Sequence, residues 1–436
     1  MRRSRLHRFL WLGPPALLLL LGVLYELGGA GRRTTTVGSL GEDLALADPK
    51  LERTLAAWFG PHRSLAPLGA EGLSIEMLLG EQEWVDMRHR ELVDGFRETE
   101  RNTLLSFDDG PAIHASYLVR GGSSILSAFQ HQHPERLNFG IRLGRALLFA
   151  PGVGLKRFFL QNLEDDPLRF ETRAAYILLQ EIGLFHCYNQ FVDLTVNGTP
   201  LGPYLLIERP ENAIRRLFPD VRLIVRRGRP GEPVYRELFR PLPGPAASHH
   251  LRLVRALEEL RGEELTAELR RLIDLDAYLR WLAFNSFVRN ADSVDEVFLF
   301  QVPVPGRPHG LLRVMGWDYD DLRARRPAHP DRVLRDPLLF GAEDELDRAV
   351  QDDPVLYRRF EQIYRRMLEE NLTPEHLSEV LARVERELAP VDLGWPAGRQ
   401  KHFRARRARA IRDFELWLLE RRAALLDFLP PGEGSG

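Results

Sequence analysis

"PLRFETRAAYILLQEIGLFHCYNQFVDLTVNGTPLGPYLLIE" runs from Pro167 to Glu208 and changes its period once. Over 167–183 a proline opens the segment, apolar residues recur at helical spacing and a glycine closes it, which predicts a helix. Over 190–208 two alternating runs flank Asn197-Gly198, a strong signal for a hairpin. Upstream, "AIHASYLVRGG" (112–122), "RLNFGIRL" (136–143) and "LKRFFLQNL" (155–163) also read as strands. Downstream, helical signals dominate: "HHLRLVRALEELRG", "LTAELRRLI", "DLDAYLRWLAFNSFVRN" and several segments from Pro354 onward. Strands at 297–302 and 310–316 interrupt them. A sheet with one helix, then a hairpin, then a mostly helical half is an α+β, two-lobe pattern.

At 436 residues the chain is long enough for one large domain or two ordinary ones. Residues 73–430 read as one domain, residues 31–72 as a linker, and residues 1–30 as a membrane anchor or signal segment. In that segment Arg2, Arg3, Arg5 and Arg8 precede the uncharged run "FLWLGPPALLLLLGVLY" (9–25). Charge on that side fits a cytoplasmic N-terminus with the remainder exported, and no clear A-x-A cleavage site follows. The reading is a membrane-anchored protein with an extracytoplasmic domain, or a secreted one.

A net charge of −2 gives no bulk pull toward nucleic acid, so nucleic acid is not expected as a partner. Cys187 is the single cysteine, which excludes an intrachain disulfide or a cysteine-based zinc cluster. Only Lys50, Lys156 and Lys401 are lysines, so arginine supplies 57 of the 60 basic residues. Chemistry that needs an ammonium in mid-chain has Lys156 alone.

Two acidic clusters carry the candidate chemistry. "RNADSVDEVFLF" (289–300) puts Asp292 between a long helix and a strand, and "WDYDD" (317–321) puts Asp318 and Asp320 after the next strand. Loops at the same end of a hairpin bring their carboxylates together, and close carboxylates repel unless a cation neutralises them or a proton is shared. Mg²⁺ suits such a site, with carboxylates, phosphate oxygens and waters as ligands. Asp292 is then the base and Asp318 the metal ligand. A solvated acidic turn is the plain alternative.

On the sheet side, "RGGSS" (Arg120, Gly121, Gly122, Ser123 and Ser124) leaves a strand through a glycine pair, which lets backbone N–H groups approach a phosphate. Alone it is more often an ordinary hairpin loop. Arg136, Arg142 and Lys156 are the strand cations that could clamp phosphate, and Glu171 or Glu181 could orient one of them; a solvated strand face for each cation and surface charge for each glutamate are the plain alternatives. Glu208 ends its strand where two lobes would join, so its backbone would meet an adenine edge. "HQH" (131–133) raises a metal-dependent hydrolase, but without H-E-x-x-H spacing. The basic run 399–412 reads as a solvated helix face more readily than as a lipid contact.

Taken together, "RGGSS", "FFLQNLEDDPLRFETRAAYILLQEIG" (158–183), "VNGTPLGPYLLIE" (196–208), "LRWLAFNSFVRNAD" (279–292) and "WDYD" (317–320) resemble the CotH family, spore-coat-protein-H-type proteins with an atypical bilobal protein-kinase-like fold. The resemblance covers roughly 110–325. It implies a sheet-rich N-terminal lobe, a mostly helical C-terminal lobe, and transfer of the ATP γ-phosphoryl group to protein Ser/Thr with Mg²⁺, or Mn²⁺ in its place. The acceptor would be a protein, including the chain itself. The family's catalytic-loop aspartate falls on Asp292, its metal-binding aspartate on Asp318, and its strand-end Glu on Glu208. Two departures stand out. Arg136 in "PERLN" takes the place of a family lysine, and a guanidinium is not equivalent to an ammonium in shape or hydration. The metal-holding Asn after Asp292 is missing, with Asp295 or Glu296 nearby; the metal set is then Asp318 with Asp320 or Glu296. A catalytically degenerate scaffold or binding protein on the same fold is the other reading.

Overall fold

The computed structural model describes residues 72–430 apart from 109, 122, 131–132, 165, 167, 229–234, 241–248, 327–337, 343 and 391–396. The expected membrane segment 1–30, the expected linker up to residue 71, Gly122 and His131 therefore lie outside the described residues. Among the described residues no helix is long and apolar enough to cross a membrane.

The first part of the described chain is sheet-rich. Its strands are β1 (Ser74–Leu78), β2 (Arg101–Phe107), β3 (Ile113–Arg120), β4 (Asn138–Ala150), β5 (Val153–Gln161), β6 (Asn189–Val196) and β7 (Thr199–Glu208). They close into a barrel in the order β1-β2-β3-β4-β5-β7-β6. Neighbours are antiparallel except at the closure, where β1 runs parallel to β6 with Ser74 opposite Asp193. Alternation drives the closure: in β3, Ala115, Tyr117 and Val119 are buried while the residues between them are not. Asn197 and Gly198 both adopt positive φ in the β6–β7 turn, as the Asn-Gly signal predicts.

The helices, in chain order, are α1 (Glu81–Met87), α2 (Gly95–Glu98), α3 (Ser123–Gln130), α4 (Glu171–Glu181), α5 (Pro210–Leu217), α6 (His249–Glu259), α7 (Gly262–Leu272), α8 (Leu275–Val288), α9 (Glu345–Asp352), α10 (Pro354–Arg366), α11 (Pro374–Leu388) and α12 (Ala397–Phe428). Their starts obey local chemistry. Asp353 Oδ1 accepts from Val355 N (2.9 Å) and Leu356 N (3.3 Å) ahead of Pro354, and Thr373 Oγ1 accepts from His376 N (3.2 Å) ahead of Pro374. A π-type turn, Met367–Asn371, follows α10. Helix α8 is buried over most of its length, with Tyr278, Leu279, Trp281, Leu282, Phe284 and Phe287 all inside and Asp276 and Arg280 on its partly exposed edge, so it packs into the core of the helical part.

Four further strands, β8 (Leu223–Arg227), β9 (Tyr235–Phe239), β10 (Val297–Val304) and β11 (Arg307–Gly316), form a second sheet in the order β11-β10-β8-β9. The fold is thus α+β, with a sheet-rich N-terminal part and a helical C-terminal part. Two strands of the second sheet, β8 and β9, and the first two barrel strands, β1 and β2, are additions to the elements read from sequence. The acidic hairpin β10–β11 is one half of a four-stranded sheet rather than a freestanding pair.

Candidate functional site: a cleft with an acidic and an arginine wall

Helix α8 ends where the acidic loops begin. Arg289 adopts positive φ (52°) and stops the helix, and Asn290 Nδ2 donates to Asn285 Oδ1 (3.1 Å), which fixes the turn leading to Asp292. The two acidic loops are laced together by backbone bonds. Ala291 N donates to Asp321 O (3.0 Å), Arg323 N to Val288 O (3.0 Å) and Trp317 N to Glu296 O (2.9 Å). The proximity expected of the two clusters is therefore realised.

In Trp317-Asp318-Tyr319-Asp320 the aromatic residues anchor and the acids project. Trp317 packs near Phe185 (6.3 Å between ring centroids) and Phe159 (5.9 Å), and Tyr319 near Tyr176 (6.1 Å) and Phe284 (5.7 Å). Gly316 is needed in front of them, because a Cβ there would come within 2.8 Å of the Tyr319 hydroxyl. Asp318 itself adopts φ 51°, which an aspartate tolerates better than most residues. Asp318 and Asp320 both line a cleft of about 460 Å³, together with Asp292 and Glu296. Gln161, the last residue of β5, reaches across to both: its Nε2 lies 3.3 Å from Asp318 Oδ1 and 3.4 Å from Asp320 Oδ2.

Oxygens of Asp292, Asp295 and Glu296 lie within 4.8 Å of one another, the spacing of a cation site. Burial, then the Asp318 charge, raises the Glu296 carboxyl well above its ordinary range, with Arg226 opposing. Burial pushes Asp318 up to about 6, with Asp292 and Asp295 adding to the shift and Arg226 opposing it. This is crowded negative charge among hard oxygen donors, the donor set that Mg²⁺ or Mn²⁺ takes. The residues fit the ion. The trio with this spacing adds Asp295 to Asp292 and Glu296, whereas the sequence points to Asp318 with Asp320 or Glu296 for the ion.

The cleft is lined by cations as well. Arg120, Arg209, Arg226 and Arg236 all line the cleft. The guanidinium carbons of Arg120 and Arg209 lie 5.5 and 5.6 Å from the centre of the Phe159 ring. Partial burial and the nearby charges of Arg209, Arg226 and Arg236 lower the Arg120 pKa, against the pull of Glu211. Gly121, which turns the chain out of β3 with φ 80°, lines the same cleft. Ser123 and Ser124 open α3 immediately afterwards.

The remaining cations chosen from sequence are not among the residues lining this cleft. Arg136 is buried in the loop before β4. Its Nε donates to Glu164 Oε1 (2.6 Å) and its Nη2 to Asn162 O (2.8 Å) and Pro203 O (3.0 Å), so it braces the barrel rather than a phosphate. Arg142 is exposed on β4 with Nη1 3.3 Å from Glu100 Oε2, and Lys156 is exposed on β5. Glu208 is buried. Its carboxylate accepts from Arg216 (Nη2 2.7 Å, Nε 3.0 Å) and Tyr188 N (3.1 Å), and its own N–H donates to Tyr188 O (2.8 Å). It holds α5 to the barrel, while its neighbours Ile207 and Arg209 face the cleft. Glu171 pairs with Arg323 and Glu181 with His376 (2.6 Å), so neither orients a strand cation. His133 sits 3.7 Å from Glu135 and is not among the residues lining the cleft.

Gln161, Arg209, Arg226 and Arg236 were not singled out from sequence. Gln161 ends a recognised strand and Arg209 follows Glu208, so both had a local signal. Arg226 and Arg236 lie on the two strands of the second sheet that sequence reading left out.

The profile of the family described as CotH kinase protein matches residues 119–219 and 245–425. That is well over half of the chain, and the chain belongs to the CotH family. Inner spore coat protein H of Bacillus subtilis (strain 168) is 26% identical over 125 residues, which cover 28% of this chain and 33% of that protein. An inner spore coat protein H-like protein of the same organism is 22% identical over 252 residues, 58% of this chain and 73% of that protein. The chain thus spans about a third of the first of these relatives' own length.

Proposed function

We propose that the chain is a CotH-type kinase of atypical bilobal protein-kinase-like architecture, which transfers the γ-phosphoryl group of ATP to Ser/Thr hydroxyls of a protein, itself included. The observation that carries this reading is one cleft lined both by the acids Asp292, Glu296, Asp318 and Asp320 and by the cations Arg120, Arg209 and Arg236. A metal–polyphosphate has the same two-signed surface, a divalent ion beside an anionic chain. The family assignment supports the same chemistry.

In this reading Arg120, Arg209 and Arg236 bind phosphate oxygens, and the Phe159 ring holds two of those guanidiniums in place. Asp318 and Asp320, aligned by Gln161, would hold Mg²⁺ or Mn²⁺; when bound, the ion neutralises charge on the phosphate oxygens. Asp292 orients the acceptor hydroxyl and takes its proton. The hydroxyl oxygen forms the new bond to γ-phosphorus, the bond from γ-phosphorus to the bridging oxygen breaks, and ADP leaves. Positioning and charge neutralisation supply most of the catalysis in such sites.

The names of the relatives support a spore-coat or cell-envelope location, and the charged, apolar N-terminal run supports export or a membrane anchor. A catalytically degenerate scaffold is the second reading. It is favoured by the contact of Arg226 with both Glu296 oxygens, because a guanidinium there stands where a metal would draw charge. Label transfer from γ-labelled ATP with Mg²⁺ separates the two. The kinase reading expects incorporation that falls by roughly 10²-fold or more in Asp292→Ala and disappears in Asp318→Ala. Nucleotide binding with no incorporation into any offered protein favours the scaffold.

A further inference from the structure

The second sheet places Arg226 in an unusual position. It lies on β8, opposite Phe298 on β10 and Arg236 on β9, so all three side chains share the face that floors the cleft. Its neighbour Arg227 points to the other face, where it bonds the Tyr278 hydroxyl (2.8 Å) and Asp347 Oδ1 (3.3 Å) beneath the sheet. Arg226 is therefore held on a rigid strand and not on a loop.

Its guanidinium addresses two acids at once. Nη2 lies 2.9 Å from Asp295 Oδ2 and 2.9 and 3.0 Å from the two Glu296 oxygens, while Nε donates to Asp295 O at 2.8 Å. Asp295 and Glu296 are both buried, and a buried carboxylate pair without a counter-charge is costly. One fixed guanidinium is thus shared by two of the three acids that have the spacing of a cation site. The guanidinium contacts both Glu296 oxygens and so competes with a divalent ion for them.

We propose that Arg226 is a built-in counter-ion that takes the place of a second divalent metal, so that the cleft loads a single ion with its nucleotide, on Asp318 and Asp320. Arg226 is in this account a positioning residue: it fixes the acidic wall and does not touch the transferred group. The inference rests on the metal–nucleotide reading of the cleft, and it goes beyond that reading by fixing the number of ions and the residue that sets it.

The test is to count bound Mn²⁺ by electron paramagnetic resonance on the full chain, saturated with the β,γ-imido analogue of ATP. The wild type is expected to bind one Mn²⁺ per chain, Arg226→Lys also one, and Arg226→Met two. Two Mn²⁺ in the wild type overturns the inference while leaving the metal–nucleotide reading intact. One Mn²⁺ in a folded Arg226→Met, with an unchanged near-UV circular dichroism spectrum, overturns it too. The wild-type count needs no variant, so the inference remains falsifiable if Arg226→Met does not fold. Failure of the wild type to bind either the analogue or Mn²⁺ overturns the reading on which the inference rests, and the inference with it.

Discussion

Gln161 Nε2 lies 3.3 Å from Asp318 Oδ1, so the last residue of a barrel strand is bonded to an aspartate that follows the second sheet, 157 residues away in sequence. The same amide reaches Asp320. Two acids that repel one another are held on one neutral donor pair, and their oxygens are aligned before any cation arrives. The barrel thus helps to set the geometry of a wall that the rest of the fold supplies.

Gln161→Leu keeps the volume of the side chain and removes the amide. Residues that orient metal ligands contribute roughly 10–100-fold in metal affinity. A Mg²⁺ titration of nucleotide binding is expected to show an apparent Mg²⁺ constant weakened about tenfold, with the melting temperature little changed. An unaltered Mg²⁺ titration would show that Asp318 and Asp320 are aligned without Gln161.

The arginines of the cleft should separate from those outside it. Arg120→Ala and Arg209→Ala each remove a charged donor from the wall, and such bonds are worth about 1.5–3 kcal/mol. Each variant is expected to weaken ATP binding by at least tenfold in calorimetric titration. Arg142→Ala and Lys156→Ala, which alter exposed strand residues outside the cleft, are expected to bind ATP as the wild type does.

Arg136→Met tests the structural role assigned to that residue. Glu164 would lose its 2.6 Å partner and keep the longer contact with Arg169 (3.5 Å), so the loss should approach but not exceed the roughly 3–5 kcal/mol of a fully broken buried pair. Urea denaturation should show that loss as a lower midpoint. A loss of nucleotide affinity at unchanged stability would instead place Arg136 in the site.

Glu171 supplies a pH dependence. Burial raises its pKa from 4.5 to about 7, with the charge of Asp166 adding to the shift and Arg323 opposing it. A carboxyl whose folded-state pKa is raised is held more readily in its protonated form by the fold. Its contribution to stability is therefore greatest below pH 4.5 and declines as pH rises towards 7. Glu171→Gln cannot ionise. Denaturation midpoints of variant and wild type, compared from pH 4.5 to 8, should diverge in favour of the variant as pH rises. Parallel curves would contradict the shift.

Much of this architecture was legible because local chemistry and tertiary packing agree. The Asn197-Gly198 hairpin, α4 and α8 carry their own turn, cap and periodicity signals, and "WDYD" alternates aromatic anchors with projecting acids. Strand β8 was not legible. It has only five residues, Leu223–Arg227, and the first three are buried in succession, so it shows no alternation. Arg226 was hidden with it. The cations of the sheet were legible as cations but not by destination. With 57 arginines, periodicity can say which face of a strand a residue occupies. It does not say whether that face lines the cleft, as at Arg120, or lies outside it, as at Arg142. Arg136 was misplaced for a related reason: a charge beside a strand reads as exposed unless its buried partner, here Glu164, 28 residues on, is known.

Calorimetric titration of ATP into the purified full-length chain, with Mg²⁺, with EDTA, and with Asp318→Ala, tests the central claim most directly. The account predicts saturable binding with Mg²⁺ that weakens at least tenfold when the metal is chelated and to a similar degree in Asp318→Ala. Absence of ATP binding, or binding of equal strength without metal and without Asp318, would contradict it and leave the acidic loops as structural turns.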